Sequence, residues 1–515
     1  MKRKIVKFVV ISLVLGFALL VGFAQYEKQG NPLLPKSSWP PLRAAQLDNS
    51  KNAHLVIYDD IQVSQMEEGV EYWECELAVD HTNPDRLFAV SMVHTADSVK
   101  QGVRLSDLAG FYSRDGGESW IQAFYAAADK SSDDHSKREG YNDPTVCFGR
   151  DGAVHIAGMF GIGFAPARSD PTESVRESNE LKKRHSVKFW KSDDSGVTWI
   201  EKSGIPRFID RPFTVVDSTS GRQYTVGQSG QVFVFANHEN SANVGEGKRM
   251  DFEFTNPRPS NPVLLRDGTV IFAAEEMAPK WLGRVRPGVA RQIPTFRSSD
   301  GENFVPGTGV NTKYRARRQY KPFFSFFPRL GANPRSKQFA DNVYCVWADQ
   351  RDMPGETKTR DRERILVSVS RDAGTTWDYP VLISEQQEPA SVDDEYLSAI
   401  PVVAVNSDGI VAVAWYDRRD LPPAGSSGRH SGWNVRARVS VDGGESWLPS
   451  VQLNKSPSQG EFDVGHTMGL AAAPNGRFHC VWIDARDMSR QLRATTFAVE
   501  QLGDNSVESR GSREN

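Results

Sequence analysis

Ser-Arg-Asp-Gly-Gly-Glu-Ser-Trp, residues 113–120, is a phrase that this chain repeats. It returns as Ser-Asp-Asp-Ser-Gly-Val-Thr-Trp from Ser192, Ser-Arg-Asp-Ala-Gly-Thr-Thr-Trp from Ser370 and Ser-Val-Asp-Gly-Gly-Glu-Ser-Trp from Ser440. A worn copy, Ser-Ser-Asp-Gly-Glu-Asn-Phe, starts at Ser298. Repetition of one S-x-D-x-G-x-[S/T]-W template decides the architecture before any single residue is interpreted. The central Asp and Gly suit a tight hairpin connection, with Gly supplying backbone freedom. The Ser hydroxyl and Asp carboxylate can accept bonds from the turn's own N–H groups. The closing Trp is a large apolar anchor beneath the turn. Alternating β-type sequence precedes the copies, as in Ile365-Leu-Val-Ser-Val-Ser and Val435-Arg-Ala-Arg-Val-Ser, so each copy reads as the tip of a hairpin.

Between the tips the chain divides into units of about 70 residues. The clearest starts at Pro401 and reads as a four-strand meander: Pro-Val-Val-Ala-Val, then Ile-Val-Ala-Val-Ala-Trp, then Trp-Asn-Val-Arg-Ala-Arg-Val-Ser, the Asp turn and a short closing strand. The same order is traceable in units that hold Leu77-Ala-Val-Asp and Thr145-Val-Cys-Phe, and in units starting at Pro212, Pro262, Pro328 and near Met468. The third and seventh lack the Asp turn, and the last runs out after three strands. His54-Leu-Val-Ile-Tyr is suited to supply its outer strand, closing a ring and hiding the sheet edges. The fold expected is an all-β propeller of four-stranded antiparallel blades, seven favoured over six, spanning residues 51–500. A Pro-rich linker (25–50) precedes it and a polar tail (501–515) follows.

The 515 residues carry a net charge of −3, which gives no general attraction to nucleic acid. Basic Met1-Lys-Arg-Lys followed by an apolar run from Phe8 to Ala24 reads as a signal peptide (residues 1–24), with an uncleaved membrane anchor through residues 8–24 as the alternative. Either way the remainder is expected to be exported, as a monomer. Cys75, Cys147, Cys345 and Cys480 read as buried free thiols. Cys345 and Cys480 occupy matching positions of non-adjacent units, too far apart for a bridge. No cofactor or metal is expected, and no H-E-x-x-H, phosphate-loop or Ser-His-Asp signature is present.

The repeated phrase resembles the Asp-box, or BNR repeat, of the sialidase (neuraminidase) superfamily, and the resemblance covers nearly the whole exported region. It implies a β-propeller whose Asp-boxes are structural and lie away from substrate. It further implies an exo-sialidase-type glycoside hydrolase acting on an anionic glycan or glycoconjugate. There three arginines clamp a carboxylate, a Tyr assisted by a Glu attacks, and an Asp is the acid/base. Arg suits that clamp because its planar fork is always charged. The superfamily's R-I-P string before the first Asp-box is absent; Ile205-Pro-Arg and Arg211-Pro-Phe follow the second copy. A non-catalytic propeller binding glycan or protein is the alternative reading.

Meander topology places the Asp turns, which join third to fourth strands, on one face. The connections between blades and from second to third strands lie on the other, where a funnel can hold a ligand. Trp347-Ala-Asp-Gln-Arg-Asp, Trp415-Tyr-Asp-Arg-Arg-Asp and Trp482-Ile-Asp-Ala-Arg-Asp fall there. Their recurrence in three blades points to Trp packing between blades and Asp–Arg pairs bracing neighbours. Arg418 stands apart on the reading that Arg419 breaks the pattern. Asp143 and Asp210 are alternative acids, Arg211, Arg418 and an arginine of the 315–318 run the candidate clamp, and Tyr396 or Glu276 the group activating attack. Tyr396 follows Glu395, although adjacent strand residues point opposite ways. A short helix from Asp170 to Arg184 is a candidate lid, its early Pro suiting a helix start.

Overall fold

The computed structural model describes residues 43–44, 53–65, 69–95, 105–129, 138–162, 185–229, 231–241, 247–250, 257–275, 290–310, 312–314, 327–349, 363–384, 398–421, 431–461, 464–487 and 489–501. They form seven antiparallel four-stranded blades in a ring. The innermost strands are Glu71–Val79, Glu139–Phe148, Asp210–Val216, the split pair Arg258–Pro259 and Val263–Leu264, Arg329–Gly331, Ser398–Val405 and Gly469–Ala472. Each blade packs against the next, and blade seven packs against blade one. The proposed lid at 170–184 lies outside the described residues, as does the apolar run 8–24. Among the described residues no helix is long and apolar enough to cross a membrane.

Ala53–Ile57 pairs antiparallel with Gln491–Gln501, Leu55 opposite Val499, so the N-terminal strand completes the last blade as the sequence suggests. Asp60 fastens the join. Its carboxylate takes Arg493 Nε at 2.6 Å, Arg486 Nη2 at 2.7 Å and the Lys455 amide at 3.0 Å. Burial opposes its charge, but these hydrogen bonds hold its pKa below the ordinary carboxylate value. Within the expected linker, Arg43–Ala44 adds a parallel strand beside Val381–Leu382 at the outer edge of blade five.

All five Asp turns join third strands to fourth strands. In each, the Ser hydroxyl donates to the Asp at 2.7–2.9 Å. In the four full copies the fifth residue's amide donates back to that Ser oxygen, at 2.8–2.9 Å. The seventh residue's amide donates to the same Asp, at 2.8–3.0 Å. In the worn copy Asn303 takes the Ser/Thr place and donates its amide Nδ2 to Asp300 at 2.7 Å. The Trp anchors also join blades: Trp199 of blade two donates to the Ala123 carbonyl of blade one at 2.6 Å.

The core lies between blades. Trp347 packs with Val263, Leu265 and Ile271 of blade four, and Trp415 with residues of blade five. Their indole N–H groups, with that of Trp482, donate to Asp349, Asp417 and Asp484 at 3.1, 2.7 and 3.1 Å. The Asp–Arg pairs differ from expectation. Arg419 grips Asp417 and Arg486 grips Asp484 through two nitrogens each, so each clamp folds back within its own loop, and Arg486 reaches Asp60 as well. Arg419 therefore keeps the pattern, since an Arg two residues beyond the Asp can fold back onto it. Arg418 is the odd member. All four cysteines are buried and unbridged.

Candidate active site

Four innermost strands carry the same defect. Glu74, Asp143, Arg211 and Ile400 have φ of 49°, 50°, 56° and 53°. Each stands five residues before the end of its strand, and at each the ladder slips by one residue against its neighbour. A bulge re-aims the side chain of an otherwise regular strand. Left-handed φ costs a non-glycine residue about 1–3 kcal/mol and persists only where surrounding structure enforces it. In three of the four the next residue is a proline, Pro144, Pro212 or Pro401. Proline has no N–H to lose where the ladder breaks, and it bars the preceding residue from the right-handed helical region.

These bulges gather charge at the funnel end of the axis. Asp143 of blade two is close enough to both Glu74 of blade one and Asp210 of blade three for its carboxyl to couple to each. Both aspartates keep an opening to solvent, yet protein surrounds them. Burial, then repulsion from Glu74, pushes the Asp143 carboxyl up to about 7, against the opposing pull of Arg211. Burial and the charge of Asp143 push Asp210 up to about 6, opposed by Arg211 and Arg258. Blade seven reaches in through His466, whose Nε2 lies 3.4 Å from Glu74 Oε1. The Val464 carbonyl accepts the Glu74 amide at 3.2 Å. Gly465 lies so close that an added Cβ would fall 2.2 Å from Glu74 Cγ.

Arg211 is 6% exposed and stacks on the Phe327 ring, its Cζ 3.8 Å from the centroid. Among the described residues its Nη1 has no hydrogen-bond partner. Arg258 covers the same ring at 5.2 Å. Below, Arg329 of blade five crosses the axis to Glu76 of blade one, Nη2 to Oε2 2.8 Å, and lies over Phe213 at 4.7 Å. Burial raises the Glu76 pKa, with Arg329 and Arg211 opposing. This bar stands at the head of an axial channel of about 660 Å³ lined by the innermost strands of all seven blades.

Asp143, Asp210 and Arg211 thus converge. Arg418, at the end of the second strand of blade six, is buried and donates Nη1 to the Gly432 carbonyl. Glu276, Tyr396 and the arginines at 315, 317 and 318 lie outside the described residues. The structure adds Glu74, Glu76, Arg258, Phe327 and Arg329, which sequence reading passed over. Proline after a charged residue was the available signal at 143 and 211. Glu74 is followed by Cys75 and carried none.

No family model and no curated protein matches the sequence. Among solved structures the chain is similar to a Dyadobacter fermentans protein of unknown function, at 12% identity and a TM-score of 0.47, covering 87% of this chain and 99% of that one. It is also similar to a GH93 α-L-arabinofuranosidase of Fusarium graminearum, at 10% identity and a TM-score of 0.41, covering 85% and 97%. A third similar structure is the NanB sialidase of Streptococcus pneumoniae, at 12% identity and a TM-score of 0.39, covering 87% and 70%.

Proposed function

We propose that the protein is an exported, sialidase-like glycoside hydrolase that cleaves anionic glycans at the funnel end of its propeller. The observation that carries this reading is the juxtaposition of a proton-holding carboxyl, Asp143, with a buried arginine, Arg211, that has a donor to spare. A carboxyl that stays protonated near neutral pH is equipped to protonate a leaving oxygen. An unsatisfied buried guanidinium N–H is costly by itself, and an anionic group on the ligand would relieve it. The resemblance of the five Asp turns to the Asp-box supports the same assignment.

In this reading Arg211, with Arg258 beside it over Phe327, receives the ligand's acid group. Asp143 donates its proton to the glycosidic oxygen as the bond to the anomeric carbon breaks. It then recovers a proton from the water whose oxygen ends on that carbon. Asp143 and Asp210 each shift the other's titration, unlike the paired carboxyls of ordinary glycosidases, which stand ~5–9.5 Å apart on either side of the scissile bond. The two therefore act as one proton-sharing unit and do not flank the scissile bond. Tyr396 and Glu276 remain the sequence candidates for assisting attack.

The test is turnover of sialoside, uronic-acid and sulfated glycoside panels by the full chain and by Arg211→Ala. The reading expects one anionic class to be cleaved, and Arg211→Ala to lose about tenfold or more in kcat/KM on it. Glycan binding without turnover would replace it with the non-catalytic reading. Equal activity on neutral analogues would remove the role given to Arg211.

A further inference from the structure

Each innermost strand is the end strand of its sheet. Its second backbone edge is therefore turned to the axis, and rows of N–H and C=O groups line the channel from every blade. Blade five sets an arginine at each end. Arg329 closes the funnel end through Glu76, and the two side chains are only 13% and 10% exposed. Arg335 stands in the loop that follows the same strand. It reaches past blade four and donates Nη2 to Ser218 Oγ of blade three at 2.5 Å. Arg266 of blade four braces that loop, its Nη2 2.7 Å from the Ser336 carbonyl and its Nε 3.2 Å from the Pro334 carbonyl. The channel is thus a chamber of about 660 Å³, shut at one end by a buried ion pair and crossed at the other by an exposed hydrogen bond. A buried pair is costly to break, whereas an exposed bond to a hydroxyl exchanges readily with water. Entry is from the turn face.

Between these ends, the described lining carries no charged side chain. Ala78, Ala332, Ala404 and Ala471 are too small to cover the backbone edges, and Thr145 and Thr214 bring hydroxyls. A charged ligand would lose its water there and find no counter-ion. A wholly apolar one would cover peptide groups without bonding them. A hydroxyl both donates and accepts, so it suits a wall of mixed peptide edges. The protein already uses such pairing between blades. The side-chain amide of Asn261, in blade four, accepts from the Leu330 N–H at 3.0 Å and donates to the Leu330 carbonyl at 2.9 Å, on the inner edge of blade five. Asn333 of blade five donates to the Val405 carbonyl of blade six at 3.0 Å.

We propose that this chamber is a second binding site, entered from the turn face, and that its ligand is a short neutral saccharide of one or two sugar units. The volume falls within the ~300–1,000 Å³ of small-molecule sites. Sugar hydroxyls pair with the strand edges, and the carbon faces of the ring lie against the alanines. The Arg329–Glu76 pair separates the chamber from the funnel. The site is therefore independent of the glycosidase reading, and its preference for neutral ligands is the reverse of the one given to Arg211.

The experiment is titration calorimetry of the full chain with glucose, galactose, maltose and lactose, and with glucuronic and galacturonic acids as charged controls. At least one neutral sugar is expected to bind saturably. Ala332→Phe, which fills the chamber from blade five, should weaken that sugar about tenfold or more. In Arg211→Ala, where the funnel clamp is removed, both uronic acids should bind about tenfold or more weakly than the best neutral sugar. The proposal is overturned by no saturable binding of any neutral sugar, by binding that Ala332→Phe leaves intact, or by a uronic acid that binds as tightly as the best neutral sugar. If Ala332→Phe does not fold, Ser218→Trp, in the loop at the mouth, decides: loss of binding supports the site and retention overturns it. None of these measurements needs turnover, so the chamber and the glycosidase reading fail separately.

Discussion

Aspartates at the two ends of the propeller live under opposite rules. On the turn face each Asp is surrounded by donors: a hydroxyl and amides that point at it at 2.7–3.0 Å. Hydrogen bonds from the Thr198 hydroxyl and amide bring the fully exposed Asp194 down to about 2. Amides of Asn303 and Glu302 hold Asp300 below the ordinary value too. On the funnel face Asp143 and Asp210 have burial and other carboxyls for company, and both move up. The same side chain is a structural acceptor at one end and a proton store at the other. Donor supply decides which, and strand geometry decides donor supply.

The largest break in this comparison comes from neutralising one aspartate at each end. Asp143→Asn should cost about 10²–10⁴-fold in kcat on any cleaved glycan, while the fold survives. Asp442→Ala, in the turn of blade six, should do the reverse. Its carboxylate accepts from Ser440 and from the Ser446 amide and hydroxyl. Losing it should lower stability by about 2 kcal/mol, read as a lower urea midpoint, with kcat/KM of the folded protein unchanged.

The smallest effect is the most diagnostic, because its sign differs between the ends. A carboxyl whose folded pKa is raised makes the native state bind more protons than the unfolded chain. Stability then falls as pH rises from about 4 through about 7, the region set by Asp143. A lowered pKa works the other way. The contribution of Asp194 is complete above about pH 4 and is lost as pH falls through about 2. Thermal melts across pH should therefore show Asp143→Asn gaining a few degrees over the parent at pH 8 and little at pH 5. Asp194→Asn should lose its deficit as the pH approaches 2.

Most of the fold was legible because its signals are local. Asp300 and Asn303 mark a hairpin even in a worn copy, and the start prolines mark where blades begin. The seventh blade was countable because a three-stranded remainder at one end met an orphan strand, His54 to Tyr58, at the other. The site was legible where the same local signal coincided with charge, as at Asp143-Pro144 and Arg211-Pro212. It was illegible where contact depends on the ring's closure. Nothing in the string around Glu74 says that His466, from the last blade, will lie against it. Nothing around Arg329 says that it will cross the axis to Glu76. Arg418 is a different case: an irregularity in a repeat drew the eye, and the residue is buried with its guanidinium on the Gly432 carbonyl.

The closure of blade seven has a consequence in time. Residues 53–57 find their partners only at 491–501, so the join waits until almost the whole chain exists. The entropy of closing so long a loop grows only logarithmically with its length, but every contact that rewards it comes late. Until then the strand at 53–57 is a bare edge, and Asp60 is a carboxylate without its arginines. His466 likewise cannot meet Glu74 before the ring is shut. The contact of His466 with Glu74 is thus made by the closure of the ring, and a chain cut short before blade seven would carry Asp143 and Arg211 in a ring that cannot shut.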